Sequence, residues 1–227
     1  MSILQVSSAW KQAYPRAHAG LLALRGVSNP PQDTNLDQRK MALDRSLRDR
    51  YAGQDRAALL QDPILRSYDE YYKQFRKTYH VQLQLESILF KGKSIPSVAA
   101  LVEAMFMAEM SGLLLTAGHD LDVVRQPLTL DVADGTETYT LLRGEEQMLK
   151  AGDMFIRDSE GILSSIIYGP DHRTQIMPST RSAVFTIYAP EGIHPEAVHR
   201  QLEQIQEYAL VITPGAQVES LEVLDAG

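Results

Sequence analysis

Before Leu128 the apolar positions recur mostly at helical spacing, and from Leu128 onward they fall on alternate residues. Asp33 to Tyr51 reads as a charged helix whose packing face carries Leu36, Leu43 and Leu47. Asp62-Pro63 opens another, because Asp caps free N–H groups and Pro suits the first helical turn. Its stripe is Ile64, Leu65, Tyr68, Tyr72 and Phe75, with Tyr71 and Tyr79 adding ring surface. Val81 to Leu85 fits either a strand or a continued helix. Ser97 opens a further helix, buried through Val98, Leu101, Val102, Met105 and Phe106 and terminated by Gly112, since glycine accepts a left-handed cap. Pro195 starts the last one, with Val198, Leu202, Ile205 and Tyr208 on one face. The acidic tail beyond Pro214 is expected to be partly ordered at best.

The period of two predicts strands over Leu128–Val132, Thr138–Leu142, Met154–Arg157, Ile162–Tyr168 and Val184–Tyr188. Asp134-Gly135 predicts a hairpin between the first two. Ala151-Gly152-Asp153 and Ser159-Glu160-Gly161 turn the chain into the third and fourth. An earlier strand fits Leu21–Val27, ended by Ser28-Asn29-Pro30-Pro31, and the apolar run Leu113–Thr116 is expected to turn at Ala117-Gly118. The expected class is α+β: a helical N-terminal region before a mostly antiparallel sheet with packed helices. We expect one domain over residues 1–227, with 30–67 as the helical N-terminal segment.

Composition narrows the function classes. Twenty-two basic against 29 acidic residues leave a net charge of −7, which disfavours a broad nucleic-acid surface and a DNA partner but permits a local basic patch. There is no cysteine, which removes disulfides, thiol catalysis and Cys-ligated zinc. The start reads as no signal peptide, and the longest uncharged run, Ile162 to Pro170, is far short of the roughly 20 residues of a membrane helix. A cytoplasmic protein without a membrane partner, cofactor or metal is expected.

Candidate chemistry gathers in turns. His119 with Asp120 and Asp122 is suited to an oriented general base or to a structural hydrogen-bond role. Asp171-His172-Arg173-Thr174 follows a buried strand and either lines a cleft, with Arg173 holding an anionic oxygen, or forms a charged surface hairpin. Asp153 and Asp158 flank a strand, and Arg143 adds a rim charge that is equally an exposed ion pair. Arg76, Lys77, Lys91 and Lys93, with aromatics nearby and Ser94 as a further donor, form either a phosphate-binding patch or a solvated face. Lys91-Gly-Lys-Ser lacks P-loop spacing, and neither HExxH nor GxSxG occurs. Met105, Met107 and Met110 with Phe106 read as core filler.

Taken in order, several segments resemble the B3/B4 domain of the β subunit of bacterial phenylalanyl-tRNA synthetase, and more closely its free-standing relatives. They are Lys91-Gly-Lys-Ser-Ile-Pro-Ser97, Gly118-His-Asp-Leu-Asp122, Gly152-Asp-Met-Phe-Ile-Arg-Asp158 with Gly161, Tyr168-Gly-Pro-Asp-His-Arg-Thr174, Thr180 and the strand to Tyr188. The resemblance runs from about Tyr68 to Leu210. It implies a B3/B4-like α+β fold and a pocket beside the sheet for a small amino-acid-like ligand or an aminoacyl ester at a tRNA 3′ end. In the synthetase that pocket hydrolyses the ester of a wrong amino acid, tyrosine.

Two departures bear on function. Only Gly169 beside Pro170 stands where the synthetase usually has a glycine-rich turn, and Ile187 and Tyr188 stand where its last strand usually ends in an acidic residue. The chain carries no ATP-site sequence, so aminoacylation is not implied.

Three readings follow. In a deacylase acting in trans on misacylated tRNA, His172 or His119 positions water and Arg173 or backbone N–H groups stabilise the oxyanion. Asp158, Asp153, Asp120, Asp122, Thr174 and Arg143 then contact substrate. In a binding module the same pocket holds an amino acid, nucleotide or RNA end without turnover. In a structural or interaction protein the long N-terminal helices contribute a dimer face, and an exposed hydrophobic stripe with no cavity would favour it. A cavity ringed by His172, Arg173 and Asp158 would favour the first two.

Overall fold

Every residue of the strand Ser182–Ala189 is buried, so it must be covered on both faces. The cover is visible in a computed structural model, which describes residues 2–226. The elements in order are β1 (Leu4–Val6), α1 (Ser8–Ala13), β2 (His18–Arg25), α2 (Thr34–Arg50), α3 (Arg56–Leu59), α4 (Pro63–Gln74), α5 (His80–Lys91), α6 (Ala100–Gly112), β3 (Thr116–Asp120), β4 (Leu128–Val132), β5 (Thr138–Thr140), β6 (Glu146–Met148), β7 (Met154–Arg157), β8 (Ile162–Ser165), β9 (Gly169–Pro170), β10 (Ser182–Ala189), α7 (Pro195–Ile212) and β11 (Gln217–Asp225).

One antiparallel sheet has the order β11-β2-β10-β3. Helix α7 lies on β2 and β10, and α6 packs beside α7. Gly20 of β2 permits that approach, because a Cβ there would sit 2.6 Å from Val198 Cγ1. A second sheet has the order β1-β4-β7-β8-β9, with β1 parallel to β4 and the other pairs antiparallel. The hairpin β5–β6 stands apart and is tied back by a Leu141–Asp171 bridge and by His172 N–H donating to Thr140 O at 3.0 Å. The main apolar core draws on residues from Ile3 to Ala226, including Leu36 and Leu47 of α2. A smaller cluster of Tyr139, Leu149, Phe155 and Ile162 lies under the hairpin. The fold is thus α+β, with mixed sheets and packed helices.

Local signals set several boundaries. Asp33 caps α2 by accepting from Leu36 N at 2.9 Å, and Asp62 caps α4 with Pro63 in the first turn. The ambiguous Val81–Leu85 segment is helical, because Val81, Leu85 and Ile88 bury one side of α5.

Other expectations are corrected. Helix α6 starts at Ala100, not Ser97: Ser97 Oγ accepts from Lys40 Nζ at 2.9 Å, and the helix end is capped across the fold by Asn29 Oδ1, which accepts from Leu101 N at 2.9 Å. Ala117 and Gly118 lie inside β3 rather than in a turn, with Gly118 under Phe185 and Met105. Asp134-Gly135 does not close a hairpin, since β4 pairs with β1 and β7 while β5 pairs with β6. The acidic tail is the edge strand β11, registered along β2 with Leu221, Val223 and Leu224 half-buried.

The end of α6 holds a further correction. The left-handed residue is Leu113 (φ 62°), not Gly112. Gly112 serves close approach instead, because a Cβ there would collide with Gln201 Oε1. That amide is not free to move: it accepts from Leu114 N at 3.1 Å and donates to Leu114 O at 2.7 Å and Thr116 Oγ1 at 2.8 Å. Gly112→Ala is therefore expected to destabilise by about 1–3 kcal/mol, although alanine alone favours a helix by about 1 kcal/mol. Urea unfolding checks this; a stabilised variant would show that Gln201 shifts without cost.

Candidate functional site

A cavity of about 300 Å³ opens between α6, β3 and the β8–β9 edge, at the lower end of the usual ligand-pocket range of about 300–1,000 Å³. Helix α6 lends it Val102, Met105, Phe106 and Glu109, at spacings of three, four and seven residues and so on one helical face. The start of β3 adds Leu115 to Gly118, β9 adds Gly169 and Pro170, and the following loop adds Gln175 and Ile176. Leu142, at the end of the β5–β6 hairpin, closes one side, and His80, Ser165 and Tyr188 complete the wall.

Glu109 is the charged-type residue of this apolar wall. It is 2 % exposed. Its Oε1 accepts from Thr116 N at 2.8 Å, and no cation lies within ion-pair distance among the described residues. Burial pushes its carboxyl up to about 8, and the Thr116 bond only partly offsets this. The contrast within the same helix is informative. Glu103, one and two-thirds turns earlier, is also buried but pairs with Lys40 Nζ at 2.7 Å and accepts from Val98 N. His80 is held neutral, pushed down to about 4 by burial. Its Nδ1 lies 3.1 Å from Tyr72 OH, which itself donates to Ile166 O at 2.6 Å. The Tyr72 oxygen therefore accepts from Nδ1–H, and Nε2 carries the lone pair.

Behind the cavity runs a buried hydrogen-bonded chain. Thr174 Oγ1 donates to Asp171 Oδ1 and so accepts from His119 Nδ1–H at 2.8 Å. His119 Nε2 then accepts from Ser164 Oγ at 3.2 Å, and Tyr188 OH shares its one proton between Ser164 Oγ at 2.7 Å and Ser164 O at 3.0 Å. The order Asp, Thr, His, Ser has the look of a nucleophile relay, but Ser164 and His119 are both 0 % exposed and neither lines the cavity. Burial, with the Arg173 charge adding to it, pushes His119 down to about 3. The chain fixes β3, β8 and β10 to one another.

The residues singled out from sequence separate into groups. His172 is exposed on its turn, outside the cavity lining. Arg173 is committed to carboxylates: Nη2 meets Asp158 Oδ1 at 2.8 Å, Nη1 meets Glu160 Oε2 at 3.3 Å, and Nε lies 3.8 Å from Asp171. Burial opposes ionisation of Asp158, but N–H bonds from Arg125 and Glu160 and the Arg173 charge hold its carboxyl below the usual range. Asp120 accepts from Thr180 Oγ1 at 2.6 Å and from Asp122 N at 3.0 Å, and Asp122 pairs with Arg25 at 3.2 Å. Asp153 is buried and accepts from Tyr71 OH at 3.0 Å, with Oδ2 unpartnered and the carboxyl pushed up to about 7 by burial. Arg143 is exposed beside Leu142 at the hairpin tip.

The basic residues do not form one patch. Arg76 and Lys77 precede α5, while Lys91, Lys93 and Ser94 lie at its other end, ~18 Å along a helix of this length. Lys77 Nζ stands 5.7 Å from the Tyr168 ring, next to cavity-lining Gly169. Thus the structure has a cavity, but His172, Arg173 and Asp158 do not ring it.

Glu109, His80, Thr116 and Ser165 were not singled out from sequence. A signal for Glu109 did exist: an acid three residues after Phe106, on the apolar face of a helix, needs a reason. Met105, Met107 and Met110 are all in the core, as expected, while Met105 and the half-buried Phe106 also line the cavity. Among the described residues no group of three side chains could hold a metal ion, and no helix is long and apolar enough to cross a membrane.

No protein-family model and no curated protein matches this chain. A solved structure does: an N-terminal fragment of the phenylalanyl-tRNA synthetase β subunit from Pyrococcus horikoshii, at 13 % identity and a TM-score of 0.51. The match covers 95 % of this chain and 49 % of that fragment, so this chain spans about half its length. At that distance the likeness is one of fold: this chain has a fold related to that of the synthetase fragment.

Proposed function

We propose that this chain is a B3/B4-like binding domain whose α6–β3 cavity takes a small, largely apolar, amino-acid-like ligand. The observation that carries the reading is an apolar cavity of about 300 Å³ with one buried carboxyl, Glu109, on its wall. Apolar walls with few convergent polar groups are the usual make-up of small-molecule sites. Binding is favoured over turnover because His172 and Arg173 stand outside the cavity and His119 is sealed behind it.

One observation favours a second reading, hydrolysis of misacylated tRNA esters in trans. His80 is a cavity-lining imidazole whose Nε2 is unprotonated, and Lys77 beside Tyr168 sits near the same rim, where a tRNA 3′ end would bring its phosphates. Its depressed basicity makes it a weak general base at neutral pH, where the best base has a pKa near the working pH.

A panel of correctly and incorrectly aminoacylated tRNAs separates the two. The binding reading predicts hydrolysis at the spontaneous rate for every species, together with saturable binding of apolar amines or amino-acid amides. Turnover of one mischarged species, lost in His80→Ala, would replace it with the hydrolytic reading. Turnover lost in His172→Ala would put the chemistry on the exposed turn instead.

A further inference from the structure

Helix α6 buries two glutamates six residues apart, and the fold treats them differently. Glu103 has its own cation, Lys40, at 2.7 Å. Glu109 has one backbone N–H and no cation among the described residues, though a carboxylate can accept about four hydrogen bonds. An acid in this state is costly to bury unless something else completes it. What adjoins it is the cavity, whose other walls are mainly apolar (Val102, Phe106, Leu115 and Ile176) but include the neutral His80 of α5. The buried hydroxyls of Tyr68 and Tyr72 on α4 and of Tyr79 before α5 are the other titratable groups close enough to feel its charge. The Thr116 hydroxyl, which accepts from Gln201 Nε2 at 2.8 Å, keeps a lone pair and its own proton on the same wall.

From this arrangement we propose that Glu109 is the specificity-determining residue of the cavity, and that the ligand class is a protonated apolar primary amine. Its ammonium would lie against the Glu109 carboxylate, with its apolar body among the α6 and β3 side chains. The inference rests on the reading of this cavity as a ligand site. A cationic head is preferred over a neutral hydroxyl because only the cation pairs with the charge, and charge-assisted bonds are about twice as strong as neutral ones. A metal ion is disfavoured, since no group of three side chains that could hold one occurs among the described residues.

The proton balance of binding is specific. Without ligand at neutral pH the Glu109 carboxyl is held protonated by burial. An incoming ammonium ion leaves a carboxylate–ammonium pair in the cavity, and the carboxyl proton goes to the buffer. Binding should therefore release about one proton per amine at pH 6.5–7 and progressively fewer toward pH 9.

The test is titration calorimetry of the full chain in buffers of differing ionisation enthalpy. The probes are 2-phenylethylamine and isopentylamine beside their neutral counterparts 2-phenylethanol and isopentanol. The expected result is binding of at least one amine, its alcohol about tenfold weaker or worse, proton release as above, and loss of all preference in Glu109→Gln. The variant's unfolding curve verifies that it is folded. Equal binding of amine and alcohol, unchanged in Glu109→Gln, would overturn the role of Glu109 and leave the cavity as a ligand site. Amine binding whose affinity is unchanged in Glu109→Gln would overturn the ion pair, and amine binding without proton release would overturn the protonated resting state of Glu109. No binding by any probe would overturn both readings.

Discussion

Glu109→Gln is expected to be more stable than the wild type at pH 8, by a few kcal/mol, despite replacing a fully buried side chain. The folded-state carboxyl is raised to about 8 by burial, while the unfolded chain ionises near the ordinary glutamate value of 4.5. A raised acid contributes its stability fully below the unfolded value and loses it as pH rises toward the folded one. Between those limits the loss is roughly 1.4 kcal/mol per pH unit. Glutamine does not titrate, has nearly the same shape, and keeps an oxygen to accept from Thr116 N. The difference between variant and wild type should be small at pH 4.5 and grow steadily to pH 8. Asp153 has an alkaline slope of its own, but it is common to both proteins and cancels in the difference. Urea unfolding across this range reads the effect directly. A variant less stable than wild type at pH 8 would mean that Glu109 is ionised and compensated in the fold. A stabilising loss of a buried acid is the pattern expected where a residue is kept for binding rather than for folding.

The second large effect lies behind the cavity. His119→Ala is expected to cost about 3–5 kcal/mol at pH 7. It leaves a void among buried strands and removes the acceptor of Ser164 Oγ and the donor to Thr174 Oγ1. The pH dependence identifies the cause. The folded imidazole is depressed to about 3, so it stays neutral while the unfolded one takes up a proton below about 6.5. Wild type accordingly loses roughly 1.4 kcal/mol per pH unit on acidification below 6.5, a slope that the alanine variant lacks. The gap between the two should narrow from pH 7 to pH 4.5. His119→Gln, which retains polar partners, serves if the alanine form does not fold. A gap that stays constant or widens would contradict a neutral buried His119.

What the sequence reveals follows the range of the interaction. Asp33 and Asp62 could be read as helix starts because a cap bonds within three residues of itself. The start of α6 could not, since its cap is Asn29, brought from 72 residues away. Gly112 does end the helix, but not as a left-handed cap: the turn is made by Leu113, and the glycine makes room for Gln201 of a distant helix. The tail failed for a similar cause, because β11 gains its ladder and its half-buried face from β2, almost 200 residues earlier.

The candidate site shows the same division. His119, Asp120, Thr174 and Thr180 stand in polar segments conspicuous in the sequence, and the structure joins them: Asp120 with Thr180, and His119 with Thr174. These bonds fasten the strands from behind. The cavity itself is assembled from α5, α6, β3, β8–β9 and β10, whose residues are mostly apolar and individually silent in sequence. Two acids, Glu103 and Glu109, interrupt the apolar run of α6, and only the fold shows that Lys40 pairs with the first and leaves the second without a cation among the described residues.

The central claim is the location of the ligand site, and the most direct measurement is an amide ¹H–¹⁵N shift map of the full chain titrated with 2-phenylethylamine. The account predicts that the largest shifts fall on Thr116, whose N–H bonds Glu109, and on Gly118, Leu142 and Gln175 around the cavity. Shifts centred on Asp158, His172 and Arg173, with Thr116 unmoved, would contradict it and return the site to the charged turn.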